Sequence, residues 1–212
     1  MFNGFGRCEK DDRMNLFITG TDTDAGKTTV SAWICSKIKT TYWKPIQTGS
    51  DADSDVIQKF ASQTEILPNA YRLKAPLSAW DAARLEQATI DVRKLQTDRD
   101  KILIEGAGGL LVPIAENFFM LDVIEQTHAI ALVVARSKLG MINHVLLTIF
   151  ALHQRNIPIL GIVICGNIER NIRETIEHFS RVRILAILPE TNDLKALFEQ
   201  TPLPLEILKV LS

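Results

Sequence analysis

The sequence predicts an α/β fold with a doubly wound, mainly parallel sheet and a phosphate-binding loop after the first strand. Apolar runs of about five residues alternate with longer amphipathic stretches, which is typical of strands joined by crossover helices. Runs such as IALVV and ILGIVI are apolar at successive positions, as expected for strands covered on both faces. The first run is followed directly by GTDTDAGKTT, which leads into a helical pattern. In such sheets ligands bind beyond the carboxyl ends of the strands, so the residues that follow each strand are the functional candidates.

The elements follow from these patterns in chain order. Strands are predicted at 16–19, 41–44, 102–105, 130–134, 159–165 and 183–187. Helices are predicted at 27–39, 54–62, 79–87, 143–155 and 171–179. The least regular region, 63–100, contains Pro68 and Pro76 and is interpreted as an excursion with short helices.

The chain length favours one domain. Its 212 residues suffice for a single hydrophobic core, which we expect to span residues 14–212. Residues 1–13 are interpreted as an N-terminal extension of unknown role, because they lack the apolar core and cleavage pattern of a signal peptide. No run is long and apolar enough to span a bilayer.

Charge and cysteine usage narrow the function classes. The formal charge of −1 gives no electrostatic reason to expect nucleic acid or an anionic membrane as a partner, so a small-molecule ligand is favoured. Cys8, Cys35 and Cys165 lie far apart and have no histidines at metal-ligand spacing. Neither a disulfide framework nor a zinc site is indicated, and a cytoplasmic location is expected.

The loop GTDTDAGKTT departs from the usual phosphate-loop pattern G-x-x-x-x-G-K-[ST]. Five residues rather than four separate Gly20 from Gly26, and Thr21 stands where the first glycine is usual. The physical components are present nevertheless: a tight turn at Gly26, free amides at a helix N-terminus, Lys27 for phosphates, and the Thr28 hydroxyl for magnesium. Because the loop lies between a strand and a helix, a nucleotide site is favoured over a chance match.

The second motif is YWKPIQTGS, at the end of the second predicted strand. Pro45 restricts Lys44 to an extended conformation and so fixes the direction of its side chain. The alternative is a solvated surface lysine, and spacing alone does not separate the two.

The third motif is the acidic stretch DADSDVIQ. Asp55 could be the acidic partner of a magnesium-nucleotide complex, but Asp51 and Asp53 are equally acidic. Ser54 and Asp55 could also simply cap the following helix, which the stretch alone favours.

The fourth motif is ILIEGAGGLLVP. Glu105 follows an apolar strand, where phosphate-loop folds place a second metal contact, and the glycines after it allow a ligand to approach the backbone. The alternative is a glycine-rich turn that starts a hairpin.

The fifth motif is RSKLGMINHVLLT. Asn143 is a candidate helix cap, and His144 beside it is interpreted as a packed or solvated residue rather than a base. Nothing in the chain resembles a Ser-His-Asp or Cys-His set, so catalysis is expected to depend on nucleotide, magnesium and lysines.

Together, in this order, these stretches resemble the dethiobiotin synthase family of ATP-dependent ligases within the P-loop NTPase superfamily. The resemblance covers nearly the whole chain from Met14 onward, and that family carries the same one-residue shift in its loop. It implies a reaction that joins CO₂ to 7,8-diaminononanoate with ATP and Mg²⁺ and closes a cyclic urea, giving dethiobiotin, ADP and phosphate.

The resemblance also implies roles for single residues. Lys27 would hold the phosphates, and Lys44 would stabilise the carbamate and the transferring phosphoryl group, so both are candidate catalytic residues. Thr28, Asp55 and Glu105 match the magnesium contacts, and Thr48 matches a substrate contact. The expected nucleotide contacts are Asp24, Ala25, Gly26, Lys27, Thr28, Thr29, Asp55, Glu105, Gly106, Ala107, Gly108, Asn167 and Pro189.

Two parts of the match concern the partner subunit and the base. Gly140 and Asn143 match residues that reach the substrate carboxylate from a neighbouring subunit, so a homodimer is implied. Family members often carry Asn after the GIVI-like strand, where this chain has Cys165 followed by Gly166 and Asn167. Either Asn167 serves from a shifted position or the base is weakly recognised.

Two other functions remain as alternatives. A partition-type ATPase would have a similar loop, but such proteins carry an early loop lysine, and here the stretch reads TDTD. A nucleotide-binding module without turnover is the second alternative, and the presence of Lys44 and Glu105 argues against it.

Overall fold

A seven-stranded, fully parallel sheet forms the centre of the molecule, and its strands lie in the order 184–188, 159–165, 129–136, 15–20, 103–109, 41–43 and 65–66. The computed structural model describes residues 14–50 and 53–212, so the predicted extension 1–13 and the candidate Asp51 lie outside the described residues. The strands are β1 Asn15–Gly20, β2 Thr41–Trp43, β3 Ile46–Thr48, β4 Glu65–Ile66, β5 Tyr71–Leu73, β6 Leu103–Gly109, β7 Pro113–Ala115, β8 Phe118–Phe119, β9 Ala129–Arg136, β10 Ile159–Cys165 and β11 Ile184–Leu188. The helices are α1 Lys27–Lys37, α2 Asp53–Phe60, α3 Ala79–Leu85, α4 Met120–Gln126, α5 Met141–Gln154, α6 Arg170–Ser180, α7 Leu194–Gln200 and α8 Leu205–Leu211.

The first strand shows why the sheet is buried on both faces. Leu16 and Ile18 belong to one hydrophobic core, with Trp33 of α1, whereas Phe17 points into the other. All four side chains are fully buried. Burial of each aliphatic or aromatic side chain of this kind contributes about 1.5–3 kcal/mol, so a continuous apolar strand stabilises both layers at once.

The predicted doubly wound α/β fold is confirmed, and each predicted strand overlaps an observed one. The largest difference at a strand end is in β6, which runs on to Gly109 because this residue pairs with Gly20 of β1. The glycine-rich segment also leads into a hairpin, as the alternative interpretation expected, since β6 is followed by the antiparallel β7–β8 pair.

The sequence prediction omitted several short elements. Helices α4, α7 and α8 have seven residues each, which is about two helical turns and too short for a clear periodic pattern. Within the region 63–100, β4 adds to the edge of the main sheet and β5 pairs with β3 in a separate two-stranded sheet. Among helices in residues 14–50 and 53–212, none has both the length and the apolar character needed to cross a bilayer.

Candidate functional site

The phosphate loop connects β1 to α1 and is shaped by Gly26. This residue adopts the left-handed conformation with φ 99° and directly precedes α1. A Cβ atom built on it would lie 2.5 Å from Sγ of Cys165 at the end of β10. Conformation and space therefore both require glycine here, and the amides at the start of α1 face the cleft as an anion site would need.

Lys27 is buried and lies across the loop. Its Nζ donates hydrogen bonds of 3.0 Å to the backbone carbonyls of Asp22 and Thr23. Burial is the largest influence on this amine and lowers its pKa to about 8, although the nearby Glu105 carboxylate opposes the shift. A negatively charged phosphate oxygen in the cleft would therefore stabilise the protonated, positively charged form of Lys27, which burial disfavours.

Three oxygen-bearing side chains from separate elements meet in front of α1. The Thr28 hydroxyl lies 2.7 Å from Oδ1 of Asp53 on α2 and 2.8 Å from Oε1 of Glu105 on β6. Glu105 is fully buried, whereas the Asp53 side chain is 23% exposed. The three side chains thus lie close together although they are 25 and 77 positions apart in the sequence.

Lys44 closes this group from the end of β2. It forms a salt bridge with Asp53, and its Nζ lies 3.3 Å from Oε1 of Glu105. Burial alone would lower the pKa of Lys44, but the attraction of Glu105 and Asp53 outweighs burial and holds the pKa above its ordinary value. The interpretation of Lys44 as a solvated surface lysine is therefore wrong, since the residue is 7% exposed. Below, Lys27, Thr28, Lys44, Asp53 and Glu105 are called the phosphate cluster.

Asp53 takes the place that the sequence analysis gave to Asp55. Asp53 begins α2 and points to Thr28 and Lys44, whereas Asp55 lies in the same first turn and is exposed. Successive helical residues point about 100° apart, so Asp55 faces away when Asp53 faces the cluster. The interpretation of Ser54 and Asp55 as helix caps is also wrong, because α2 already includes both.

A cleft of about 630 Å³ opens above the phosphate cluster. Thr48, at the end of β3, lies in its wall together with Gln47. The lining residues are Thr23, Asp24, Gly26, Lys27, Thr28, Thr29, Lys44, Gln47, Thr48, Gly49, Ser50, Asp53, Pro76, Glu105, Ala107, Gly108 and Arg136.

The oxygen atoms of Thr28, Asp53 and Glu105 fit a magnesium ion. One hydroxyl and two carboxylates are hard donors, and Mg²⁺ is usually held by one or two carboxylates together with substrate phosphates. The Thr28 hydroxyl oxygen lies within 2.8 Å of a carboxylate oxygen of both Asp53 and Glu105, so the three donors already converge on one place. Asp55, which the sequence analysis assigned to the metal, does not lie in this group.

Some of the small residues predicted to contact the nucleotide line the cleft, and others do not. Ala107 and Gly108 line the cleft, as expected for nucleotide contacts. Gly106 lies against the sheet instead, since a Cβ there would come within 2.7 Å of the Phe17 ring. Ala25 is buried in the loop and is not among the residues that line the cleft.

A second pocket of about 500 Å³ adjoins the cleft at the carboxyl ends of β10 and β11. We call it the outer pocket; its lining residues are Thr29, Arg136, Cys165, Gly166, Leu188, Pro189, Glu190, Thr191, Asn192, Leu194 and Leu197. Pro189 is present there as expected. Asn167 is exposed and is not among the lining residues, whereas Cys165 is, and burial raises the pKa of its thiol to about 11.

Arg136 lies between the cleft and the outer pocket and was not among the residues predicted from the sequence. It ends β9, lines both the cleft and the outer pocket, and donates from Nε to the backbone carbonyl of Asp24 at 2.8 Å. Its position directly after an apolar strand was the available signal, because the carboxyl ends of parallel strands face the ligand.

The expected contacts to the substrate tail lie apart from the cleft. Gly140 precedes α5 with φ 91°, and Asn143 lies exposed in the first turn. Asn143 therefore does not cap α5, as the sequence analysis proposed, because the helix already begins at Met141. His144 is half-buried beside a further pocket formed with Asp22 and Leu147, in agreement with a packed residue.

Comparison with known proteins gives one family model and a consistent set of relatives. Residues 14–197 match the model of the "AAA domain" family. The chain is 48% identical over 176 residues to the ATP-dependent dethiobiotin synthetase BioD of Paramagnetospirillum magneticum, covering 81% of this chain and 85% of the relative. It is 39% identical over 185 residues to the protein of the same name from Brucella ovis, covering 84% and 87%.

Solved structures of similar fold come from other functional classes. MinD of Pyrococcus furiosus, a cell division ATPase, superposes with a TM-score of 0.54 at 18% identity, covering 85% of this chain and 84% of its own. A ParA family ATPase from Chlorobium tepidum gives a TM-score of 0.53 at 11% identity, covering 95% and 97%. Identities this low show the shared fold alone.

Proposed function

Because the chain belongs to the dethiobiotin synthetase family, we propose that its cleft joins CO₂ to 7,8-diaminononanoate at the expense of ATP. The product is dethiobiotin, formed together with ADP and phosphate in biotin biosynthesis. The membership rests on relatives that match over most of both chains. The ParA family ATPase and the cell division ATPase MinD are 11% and 18% identical to this chain, so their likeness shows the fold alone.

One observation carries the proposal: Lys44 is buried between Asp53 and Glu105, in the wall that faces the phosphate loop. A second lysine, Lys27, lines the same cleft. Two cations around one space suit a reaction in which negative charge is carried by carbamate and phosphoryl oxygens, because fixed charges stabilise it without reorganisation.

The proposed chemistry has three bond-forming steps. One substrate amine adds to CO₂ and loses a proton, which gives a carbamate. A carbamate oxygen then attacks the γ-phosphorus, and the bond to ADP breaks. The second amine attacks the carbonyl carbon of this mixed anhydride, the bond from that carbon to the phosphate oxygen breaks, and the proton that the amine loses is taken up by the departing phosphate as the urea ring closes.

Each member of the phosphate cluster has a defined part in these steps. Lys27 and the amides at the start of α1 hold the phosphates, and Lys44 neutralises the carbamate and the transferring phosphoryl group. Thr28, Asp53 and Glu105 would hold Mg²⁺, which when bound neutralises the phosphate oxygens during transfer. Thr48 lies in the same wall and would contact the substrate amines. None of these steps needs a covalent intermediate on the protein.

The direct test uses the purified protein with ATP, Mg²⁺, bicarbonate and 7,8-diaminononanoate. We expect dethiobiotin and phosphate in equal amounts, both dependent on the diamine. Phosphate release that ignores the diamine would point to an ATPase, and nucleotide binding without turnover would point to a binding module; either result overturns the proposal.

We also propose that the protein acts as a homodimer through α5. Leu147 and Phe150 are 59% and 61% exposed and lie with Asn143 at helical spacing on one face. A paired copy of this face would cover both apolar side chains and carry Asn143 towards the neighbouring cleft. The expected cytoplasmic location stays a prediction.

Light scattering after size exclusion tests the dimer. We expect Phe150→Glu to shift the protein to monomers and to raise the KM for the diamine. Phe179→Glu is the matched control, because Phe179 is 67% exposed on a different helix, α6. A dimer that survives Phe150→Glu and Leu147→Glu together would exclude this interface.

A further inference from the structure

Tyr42 contacts the carboxylate of Glu105, one of the three residues proposed to hold Mg²⁺. Its hydroxyl donates a hydrogen bond of 3.0 Å to Oε2 of Glu105. Tyr42 is 1% exposed and Glu105 is fully buried, so no solvent competes for this contact. A hydrogen bond to a buried charged group is stronger than one between neutral groups.

The strand arrangement explains how Tyr42 reaches Glu105. On β6, Glu105 lies two positions after Leu103, which is in register with Tyr42 on β2. Alternate residues of a strand point to the same face, so Tyr42 and Lys44 approach Glu105 on one side of the sheet. Tyr42 contacts Oε2, and Lys44 contacts Oε1.

The two carboxylate oxygens therefore have different surroundings. Oε1 lies towards the Thr28 hydroxyl and Lys44, whereas Oε2 is held by the tyrosine. Rotation of the carboxylate would break the Tyr42 contact and leave a buried oxygen without a partner. We propose that Tyr42 is a positioning residue that fixes the Glu105 carboxylate, so that Oε1 alone is presented to the cation of a metal-nucleotide complex.

This inference rests on the proposed function only for the presence of a Mg²⁺-nucleotide. It concerns metal-dependent nucleotide binding, which needs neither CO₂ nor the diamine. The removal of the hydroxyl should therefore weaken the metal contact while the phosphate loop, formed by other residues, keeps its own affinity for the nucleotide.

The experiment measures ADP affinity by calorimetry, first without divalent cation and then over a series of Mg²⁺ concentrations. For Tyr42→Phe we expect the Mg²⁺ concentration at half effect to rise about tenfold, the size expected for a lost hydrogen bond to a charged group. ADP affinity without metal should be unchanged, which also shows that the variant is folded. Saturating Mg²⁺ should restore turnover.

The chain offers a matched control in its other tyrosine. The Tyr71 hydroxyl accepts a 2.8 Å hydrogen bond from the backbone amide of Asp91, away from the cleft. Tyr71→Phe thus makes the same chemical change and should lose stability without altering the Mg²⁺ response. An equal shift in both variants would mean a general structural effect and overturn the inference.

Glu105→Gln separates the two possible failures. If the wild type shows a Mg²⁺ effect that Glu105→Gln reduces and Tyr42→Phe does not, the positioning role is wrong and the metal site stands. If the wild type shows no Mg²⁺ effect on ADP binding, the metal site of the proposed function fails, and the inference fails with it.

Discussion

The phosphate cluster and the outer pocket lie side by side but are built in different ways. In the phosphate cluster, hydrogen bonds and salt bridges join Thr28, Lys44, Asp53 and Glu105. Three members of the cluster, Lys27, Lys44 and Asp53, have shifted pKa values. In the outer pocket, the Arg136–Glu190 ion pair is 3.6 Å long and its side chains are 46% and 70% exposed, so it contributes only about 0–1 kcal/mol.

This difference indicates where the protein discriminates between ligands. Preorganised, buried charges bind a charged group strictly, because an incorrect partner leaves them uncompensated. The apolar and exposed side chains of the outer pocket can contact bases of more than one shape. We therefore expect strict recognition of the triphosphate and metal, and weak recognition of the base.

The largest expected effect is that of Lys44→Gln. Loss of this charge should lower kcat by about a thousandfold, the upper range for removal of one group that stabilises developing charge. Nucleotide affinity should change little, because Lys27 and the loop amides remain. Steady-state kinetics and calorimetry measure the two quantities separately.

Lys59→Gln is the control for Lys44→Gln, since Lys59 is exposed on α2 and does not line the cleft. It should leave both quantities unchanged. Equal losses of turnover and of nucleotide binding in Lys44→Gln would contradict the role assigned to Lys44.

A comparison of Asp53→Asn with Asp55→Asn tests which aspartate of α2 belongs to the phosphate cluster. The two changes are chemically identical and lie in one helical turn. Asp53→Asn should lower turnover about a hundredfold, because it removes a charge next to the transferring group. Asp55→Asn should stay close to the wild type. A larger loss in Asp55→Asn would mean that α2 turns differently in the working enzyme.

The aspartates also show how far the sequence predicts the site. Lys27, Thr28 and Lys44 could be identified because they open a helix or directly follow a strand, which fixes their position at the sheet edge. Glu105 could be identified because it directly follows the apolar run of β6, although the strand continues to Gly109. Asp53 could not, because the start of α2 is set by tertiary contacts, and a shift of one or two residues changes which aspartate faces inward.

The fold shows the same division between what the sequence predicts and what it does not. Strands β9 and β10 are predicted well because both faces are buried and the apolar run is unbroken. Strands β3 and β5 are three residues long and pair across 25 positions, so no local pattern reveals them. The predicted cap Asn143 lies about one turn too late in the chain, because α5 already begins after the left-handed Gly140.

The pKa of Lys27 gives a prediction on pH. In the folded protein without ligand this pKa is about 8, below its ordinary value of 10.5. Between these values the unfolded chain binds more protons, so the contribution of Lys27 to stability rises with pH through this window. Bound phosphate favours the charged amine, so ATP binding above pH 8 should take up a proton, and affinity should fall by up to about tenfold per pH unit.

Calorimetry at pH 7 and pH 9, in buffers of different ionisation enthalpy, measures this proton uptake. Lys27→Arg is the control, because a guanidinium stays charged throughout this range. It should show weaker binding but no linked uptake through residue 27. Equal uptake in the two proteins would assign the proton to another group.

The smallest effect is expected in the outer pocket, from Cys165→Asn. The wild type has only a neutral thiol at this position, since burial raises its pKa to about 11, and should use ATP and other nucleoside triphosphates within about tenfold of one another. An asparagine amide can pair with the adenine edge, so the variant should widen the preference for ATP about threefold to tenfold. Cys165→Ser, which adds no amide, is the matched control. If the wild type already prefers ATP over the other nucleoside triphosphates by much more than about tenfold, the base is strictly recognised. The proposed contrast between the phosphate cluster and the outer pocket would then be wrong.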